Sequence, residues 1–345
     1  MTREHSPRIA PPFLNFGRTH RLVAGVAGLS IAAGAAAQSS APATAPYPTK
    51  PIRAIVGFVP GGATDIMART LGQKLTEALG QQIIVDNRAG GGGIIAATMA
   101  KESPPDGYTI FFGTISTLAT NVATHPKLPY DPLHDFAPIT MTSYNPYFLV
   151  VHPSVPAKSV KEFIALARAR PGQLNYASSG TGGGAHLAIE LFRTAARLDM
   201  VHVPYKGSAP SITDLVGGQV QLTFAQPSVS LPHAKAGKLR ILGVSSLKPI
   251  SSWPDAPPLA EAAGLPGFEA TSWQGVVVPG KTPRPLITRL HTEIVKALNA
   301  PDVRAKLAAE SSEVGGMPPE AFAQYIRNEI EKWRKVVKDA NIKVE

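Results

Sequence analysis

The 345-residue chain contains no cysteine, which excludes disulfides, thiol nucleophiles and cysteine-ligated metals. It has no GxSxG, HExxH or P-loop sequence, so the common hydrolase, zinc-protease and nucleotide-phosphate signatures are missing. Its nine histidines lack metal-ligand spacing, and no carboxylate pair accompanies the glycine-rich turns. Aromatic residues are sparse, at 7%, and do not interleave with the basic ones. The basic residues, such as Lys158, Lys161, Arg168, Lys332, Arg334 and Lys335, fall on helical faces, a pattern of solvated surface that argues against nucleic-acid binding. These absences lead us to expect a binding protein without cofactor or metal.

The N-terminus carries its own signal. Arg3, Arg8, Arg18 and Arg21 precede an apolar stretch from Leu22 to Ile31, and Ala35-Ala36-Ala37 supplies small residues before Gln38. The apolar run of 16 residues, Leu22 to Ala37, falls short of the roughly 20 needed to span a bilayer. Residues 1–37 therefore read as a cleaved signal peptide, 38–47 as a flexible leader, and the periplasm as the destination. Of the net charge of +10, this segment holds +3 (four Arg, one Glu), which leaves +7 and a field that could speed the arrival of anions.

Beyond the leader, short apolar runs alternate with helical periods. Strands are expected at 52–58, 83–86, 109–112, 147–151, 174–177, 201–205, 221–224, 240–244 and 273–278. Met67, Leu71, Leu75 and Leu79 share a helix face, Ser159-Val160-Lys161-Glu162 is a capping box, and Phe322, Ile326, Ile330, Trp333 and Val337 form a core stripe on the last helix. The alternation implies an α/β protein with mostly parallel sheets in two lobes.

Two strand-to-helix turns stand out. Gly57-Phe58-Val59-Pro60-Gly61-Gly62-Ala63-Thr64-Asp65 leaves backbone N–H groups uncovered at a helix start, a place for an anion or carbonyl. Asp65 has a local role open to it as well, favouring the helix dipole and pairing with Arg69. Phe58 suits either the core or an apolar cleft wall. The second turn, Ser178-Ser179-Gly180-Thr181-Gly182-Gly183-Gly184, adds hydroxyls to the same geometry, with His186 neutral in the first helical turn. Its GxGxxA spacing invites a dinucleotide reading, but the next strand ends in Lys206-Gly207 where a ribose-binding acid is required. A third cluster, Gly113-Thr114-Ile115-Ser116-Thr117, again puts hydroxyls at a strand's end. Ligands of open α/β sheets bind beyond the carboxyl ends of strands, so the turns are expected to face each other across a cleft. Gly90-Gly91-Gly92-Gly93 reads as a mobile turn.

An ordered series of motifs then resembles a known family. Val59-Pro60-Gly61-Gly62-x-x-Asp65, Asp86-Asn87-Arg88-Ala89-Gly90, Asp106-Gly107-Tyr108-Thr109, Asp135-Phe136-Ala137-Pro138-Ile139, His202-Val203-Pro204-Tyr205-Lys206-Gly207 and Asp214-Leu215-x-x-Gly218-Gln219-Val220 are similar to those of Bug-type extracytoplasmic solute-binding proteins. These are binding components associated with tripartite tricarboxylate transporters. The likeness spans residues 47–345. It implies a type II periplasmic-binding fold, two α/β lobes joined by two crossing segments around a ligand cleft. The lobes would comprise 48–146 with 273–345, and 147–272. By position it implies a ligand site at Phe58, Gly61, Gly62 and Asp65 and at Ser178, Thr181 and their neighbours Ser179, Gly180 and Gly182; Pro60, Thr114, Ser116, His186, Tyr205 and Phe224 complete the candidate site read from the turns and strand ends. The chain departs from the family at Gly57-Phe58, usually Pro-Phe, and at the turn 113–119, usually Gly-Thr-His-Ala. The implied partners are a small organic acid, amino acid or related metabolite and membrane transporter subunits, bound by a monomer. A sensing subunit for a membrane receptor and an enzyme acting on a small acid are the rival readings.

Overall fold

The computed structural model describes residues 47–205 and 207–342. The signal-peptide and leader expectations lie outside the described residues, Tyr47 apart. The element order is β1 (Ile52–Val56), α1 (Ala63–Leu79), β2 (Ile83–Asn87), α2 (Ile94–Lys101), β3 (Thr109–Thr114), α3 (Asn121–Thr124), β4 (Phe136–Pro146), β5 (Phe148–Val151), α4 (Val160–Ala169), β6 (Asn175–Ser178), α5 (Gly184–Ala196), β7 (Val201–Pro204), α6 (Ser208–Val216), β8 (Leu222–Ala225), α7 (Pro227–Lys235), β9 (Arg240–Val244), α8 (Leu259–Ala262), β10 (Thr271–Pro279), α9 (Arg284–Leu298), α10 (Pro301–Ala309), β11 (Glu313–Val314) and α11 (Pro319–Asp339).

These elements build two sheets, one of six strands in the order β11-β4-β10-β3-β1-β2 and one of five in the order β7-β6-β8-β5-β9. Both are mixed, which corrects the expectation of mostly parallel sheets. β1 runs parallel to β2 and β3, and β6 parallel to β7 and β8. The antiparallel pairs are β10 with β3 and β4, β11 with β4, and β5 with β8 and β9. The reversals come from the strands that carry the chain between sheets. It leaves the first sheet along β4, enters the second at β5 with Tyr147 between them, and returns along β10.

The longest strand, β4, has no counterpart among the expected ones, and Pro138, Asn145 and Pro146, residues disfavoured in strands, lie within it. Its register against β10 explains why Pro138 is tolerated. Val276 pairs with Thr140 but Val277 with Pro138, and Gln274 pairs with Ser143 but Gly275 with Met141. Ile139 and Thr142 are thus extra residues. Pro138 sits beside the first bulge, where the ladder is already interrupted and a missing N–H costs least.

The helical expectations hold closely. Met67, Leu71, Leu75 and Leu79 of α1 are buried, and Gly80 ends the helix in the left-handed region with its N–H on Thr76 O. Ser159 Oγ caps α4 by accepting the Glu162 N–H at 3.2 Å, while Glu162 accepts from Lys158 N at 2.7 Å, one residue before the cap itself. On α11, Phe322, Ile326, Ile330 and Trp333 are buried, with Val336 the more deeply placed of the 336–337 pair. The Gly91–Gly93 segment is a tight helical turn with Gly91 and Gly92 exposed and Gly93 buried. A β-carbon on Gly93 would lie 2.5 Å from Thr117 Cγ2, and one on Gly57 would lie 3.0 Å from Gly93 Cα.

Candidate functional site

The second sheet sends three helices off the carboxyl ends of its strands. β6 leads into α5, β7 into α6 and β8 into α7. The first turns of all three line one cavity of about 120 Å³, through Gly184 and Ala185, Ser208 and Ser211, and Gln226 and Val229. Tyr147, Ser179, Thr223 and Phe224 complete its wall. A helix start presents unpaired N–H groups and a partial positive charge. None of these three helices has an acidic residue in its first turn. Among the described residues no Lys or Arg lines the cavity. Gly184 is required here by close approach, since a β-carbon would lie 2.5 Å from the Tyr147 hydroxyl.

Behind the cavity, hydrogen bonds hold the glycine-rich turn in shape. Ser178 Oγ accepts the Gly180 N–H at 3.2 Å and meets His202 Nε2 at 2.7 Å. His186 Nδ1 accepts the Gly182 N–H at 3.0 Å, which a protonated ring nitrogen could not do. His186 stacks on His202 at 4.0 Å between ring centroids, and His202 on Tyr176 at 4.9 Å. Burial, then the neighbouring His202, push the His186 imidazole down to about 4. The expected neutral state therefore holds, through burial more than through the helix end. Thr181 is the exposed tip of the turn. Tyr205 donates its N–H to Ser178 O at 3.0 Å, and its hydroxyl donates to Asp214 Oδ2 at 2.7 Å, outside the cavity.

The first-lobe turn is built differently. Asp65, in the first turn of α1, is 2% exposed. Its Oδ2 accepts the Gly61 N–H at 2.9 Å and Arg69 Nε at 3.0 Å, and its Oδ1 accepts Asn87 Nδ2 at 3.0 Å. The Arg69 hydrogen bond, supported by those from Gly61 and Asn87, outweighs burial and lowers the carboxyl to about 2. The Gly61 N–H is thus taken up inside the turn, and the acid already answers the helix's positive end. Phe58 packs with the sheet core, and Pro60 is exposed.

A second cavity, of about 390 Å³, spans the lobes and shares Gln226 with the first. Ala63 and Thr64 of α1, Thr114 at the end of β3, Asn145 of β4, and Ser272, Trp273 and Gln274 of β10 line it, with Ala309 and Glu310 at the end of α10. Its floor is therefore made of the strands that cross between lobes. Beneath its surface, Thr114 Oγ1 and Gln274 Oε1 are sealed from solvent without any hydrogen-bond partner among the described residues. Thr114 and Gln274 are also register partners across β3 and β10.

Of the residues singled out in the sequence, Ser179 and Phe224 line the inner cavity and Thr114 the outer one. Ser178, Gly180, Gly182 and His186 form the turn behind the inner cavity. Phe58, Pro60, Gly61, Gly62, Asp65, Ser116, Thr181 and Tyr205 line neither. Sequence reasoning passed over Tyr147, Asn145, Gln226, Gln274 and Glu310. Gln226-Pro227 carried a usable signal, because a proline in the first helical turn directly after a strand marks a strand-to-helix junction without any glycine.

The chain is similar to known proteins along most of its length. Protein BugT of Bordetella pertussis is 38% identical over 94% of this chain and 98% of its own. The structure of R. palustris Rpa4515 with adipate matches with a TM-score of 0.70 at 38% identity, over 87% of this chain and all of that one. MatC of Rhodopseudomonas palustris with bound malate matches at 0.66 and 32%, over 84% of this chain and all of that one. The two-lobed α/β fold is theirs, and these are binding proteins, not enzymes. The model of the tripartite tricarboxylate transporter family receptor matches residues 67–342, and the chain belongs to that receptor family.

Proposed function

We propose that this protein captures a small organic acid in the periplasm between its two lobes and delivers it to a tripartite tricarboxylate-type membrane transporter. The observation that carries the reading is the inner cavity, where three helix starts free of acidic residues converge. The ligand's carboxylate sits there, held by N–H groups and by hydroxyls such as Ser179. Solved relatives with adipate and malate support an acid as the ligand class.

Magnitudes require more than helix dipoles. Three helix ends at about 0.3–2 kcal/mol each reach at most about 6 kcal/mol, whereas micromolar binding needs about 8. Closure supplies the remainder. Residues 147–272 swing as one lobe against 48–146 and 273–345, about the crossings near Tyr147 and Thr271. That motion desolvates the ligand and brings hydrogen bonds from the outer cavity, where charge-assisted ones are worth about 1.5–3 kcal/mol each. Thr114 Oγ1 and Gln274 Oε1 are the atoms in want of a partner.

Calorimetry on refolded, ligand-free protein with a panel of mono- and dicarboxylates and amino acids tests the reading. We expect micromolar or tighter binding for at least one acid. Folded protein that binds none of them overturns it.

A further inference from the structure

The last helix, α11, carries a polar stripe beside its apolar one, and that stripe is fastened to the return crossing. Tyr325, Glu329 and Lys332 stand at i, i+4 and i+7, on one face of the helix. The Tyr325 hydroxyl meets Thr271 Oγ1 at 3.2 Å. Glu329 Oε2 accepts the Trp273 indole N–H at 2.9 Å, and Lys332 Nζ donates to Glu269 O at 3.1 Å. Thr271 and Trp273 share one face of β10, while Ser272, on the opposite face, lines the outer cavity.

Glu329 is the centre of this contact. It is 3% exposed, and a buried carboxylate is costly unless donors surround it. Its Oε2 also accepts the Trp333 indole N–H at 2.9 Å, and its Oε1 forms an ion pair with Lys332. Satisfying Trp333, one turn on in the same helix, is a local matter. Holding Trp273 is not, because the strand there has little other support. β3 pairs with β10 only from Gln274 onward, so Thr271, Ser272 and Trp273 have a ladder partner on one side alone, β4, itself a crossing strand. On the second sheet's side the segment is fixed, since Ser245 Oγ accepts the Tyr147 N–H at 2.7 Å and donates to Ala270 O. Both crossings are thereby tied to one residue, and the freedom left for bending falls between Ala270 and Trp273, where α11 grips. α11 also spans the bend, packing on β4 of the first sheet and on α5 beside the second.

We propose that Glu329 is a positioning residue for ligand capture. Acting through Trp273, it fixes the return crossing, and with it the Ser272–Gln274 stretch of the outer-cavity wall, in the geometry that closes on the ligand. This rests on the acid-receptor reading above; Glu329 itself lines neither cavity.

Two substitutions matched in kind test it. Trp273→Phe and Trp333→Phe each remove one indole donor from the same oxygen, and both side chains are buried, so they should lower stability alike. Affinity should separate them. In calorimetry on ligand-free protein with adipate, malate and succinate, the tightest of the three should weaken at least about fivefold with Trp273→Phe and less than about twofold with Trp333→Phe. Glu329→Leu keeps the volume and removes both acceptors, so it should match Trp273→Phe, whereas Glu329→Gln retains an acceptor oxygen and should recover most of the affinity. Trp273 borders the cavity, and combining Trp273→Phe with Glu329→Leu separates positioning from direct contact. If Glu329 acts through Trp273, the double variant binds about as well as either single one; a direct contact would be lost on top. Equal effects of the two Phe variants, or additive losses in the double variant, overturn the proposal and leave the acid-receptor reading standing. Amide exchange gives a reading independent of any ligand and of whether Glu329→Leu folds. In the ligand-free protein, Thr271, Ser272 and Trp273 should exchange faster in Trp273→Phe and Glu329→Leu, but not in Trp333→Phe or Glu329→Gln. Unchanged exchange there overturns the role of Glu329, whereas failure of all three acids to bind the unsubstituted protein counts against the acid-receptor reading itself.

Discussion

The two glycine turns look alike in sequence and behave differently in the fold. Gly61-Gly62 opens α1, and Gly182-Gly183-Gly184 opens α5. In the first, Asp65 folds back, takes the Gly61 N–H and occupies the helix start from within. In the second, the acceptor for the Gly182 N–H is His186, a neutral ring that brings no negative charge. Glycine therefore exposes backbone, but the residue in the first helical turn decides whether an external anion is wanted. Asp65 makes its turn self-contained. The lobe of α5 keeps three helix starts unanswered.

Transferring the acid from one turn to the other breaks the comparison most severely. Ala185 lies in the first turn of α5 and lines the inner cavity. Ala185→Asp would place a carboxylate where the ligand's own is proposed to sit. We expect acid affinity to fall more than about 100-fold, about 2.7 kcal/mol, with the melting temperature nearly unchanged. An unchanged dissociation constant would move the anion site out of this cavity.

Removing the acid from the first turn should have the opposite signature. Asp65→Ala leaves the Gly61 N–H, the Asn87 amide and Arg69 without their acceptor. Arg69 and Gly61 are exposed and find water, and Asn87 keeps the Phe58 carbonyl at 3.0 Å, so the loss should lower stability by only about 1 kcal/mol. Denaturant midpoints measure that loss. Affinity for acids should change less than about threefold if the turn is structural, and a larger drop would restore it as a contact.

These contrasts mark how far the sequence could be read. Hydrophobic period located α1, α4 and α11, whose buried faces depend on local spacing. The glycine turns and their strands were legible for the same reason. The outer cavity was not, because Asn145, Gln274 and Glu310 come from β4, β10 and the end of α10 and meet only through long-range pairing. β4 itself was hidden by two prolines, Pro138 beside a bulge and Pro146 at the strand's end. Asp65 shows the opposite case, where a first-turn acid with arginine four residues on already indicated the local bond that forms.

Acid should undo the two turns in sequence. Below the usual imidazole value near 6.5, the unfolded chain binds a proton that folded His186 refuses until about 4, so stability declines across that window. His202, Glu190 and Arg193 are the ionisable neighbours, and none donates to Nδ1. Asp65 is depressed from 3.8 to about 2, so its contribution is complete above 3.8 and is lost progressively as pH falls from there to about 2. Hydrogen exchange should show protection of the Gly182 amide fading at a higher pH than that of Gly61. Simultaneous loss would mean that the turns do not open independently.

The smallest effect separates a binding atom from a structural one. Thr114 Oγ1 is buried without a partner, while the Thr114 N–H is already met by Thr117 Oγ1 at 2.9 Å. Thr114→Val removes the hydroxyl and keeps the shape. In the ligand-free protein an unsatisfied buried hydroxyl only costs, so stability should hold or rise by up to about 1 kcal/mol. In the complex the same hydroxyl is proposed to meet the ligand, so affinity should fall about fivefold, or about 1 kcal/mol. Opposite signs from one substitution identify a group whose partner is external. A loss of stability with unchanged affinity would assign Thr114 to the scaffold.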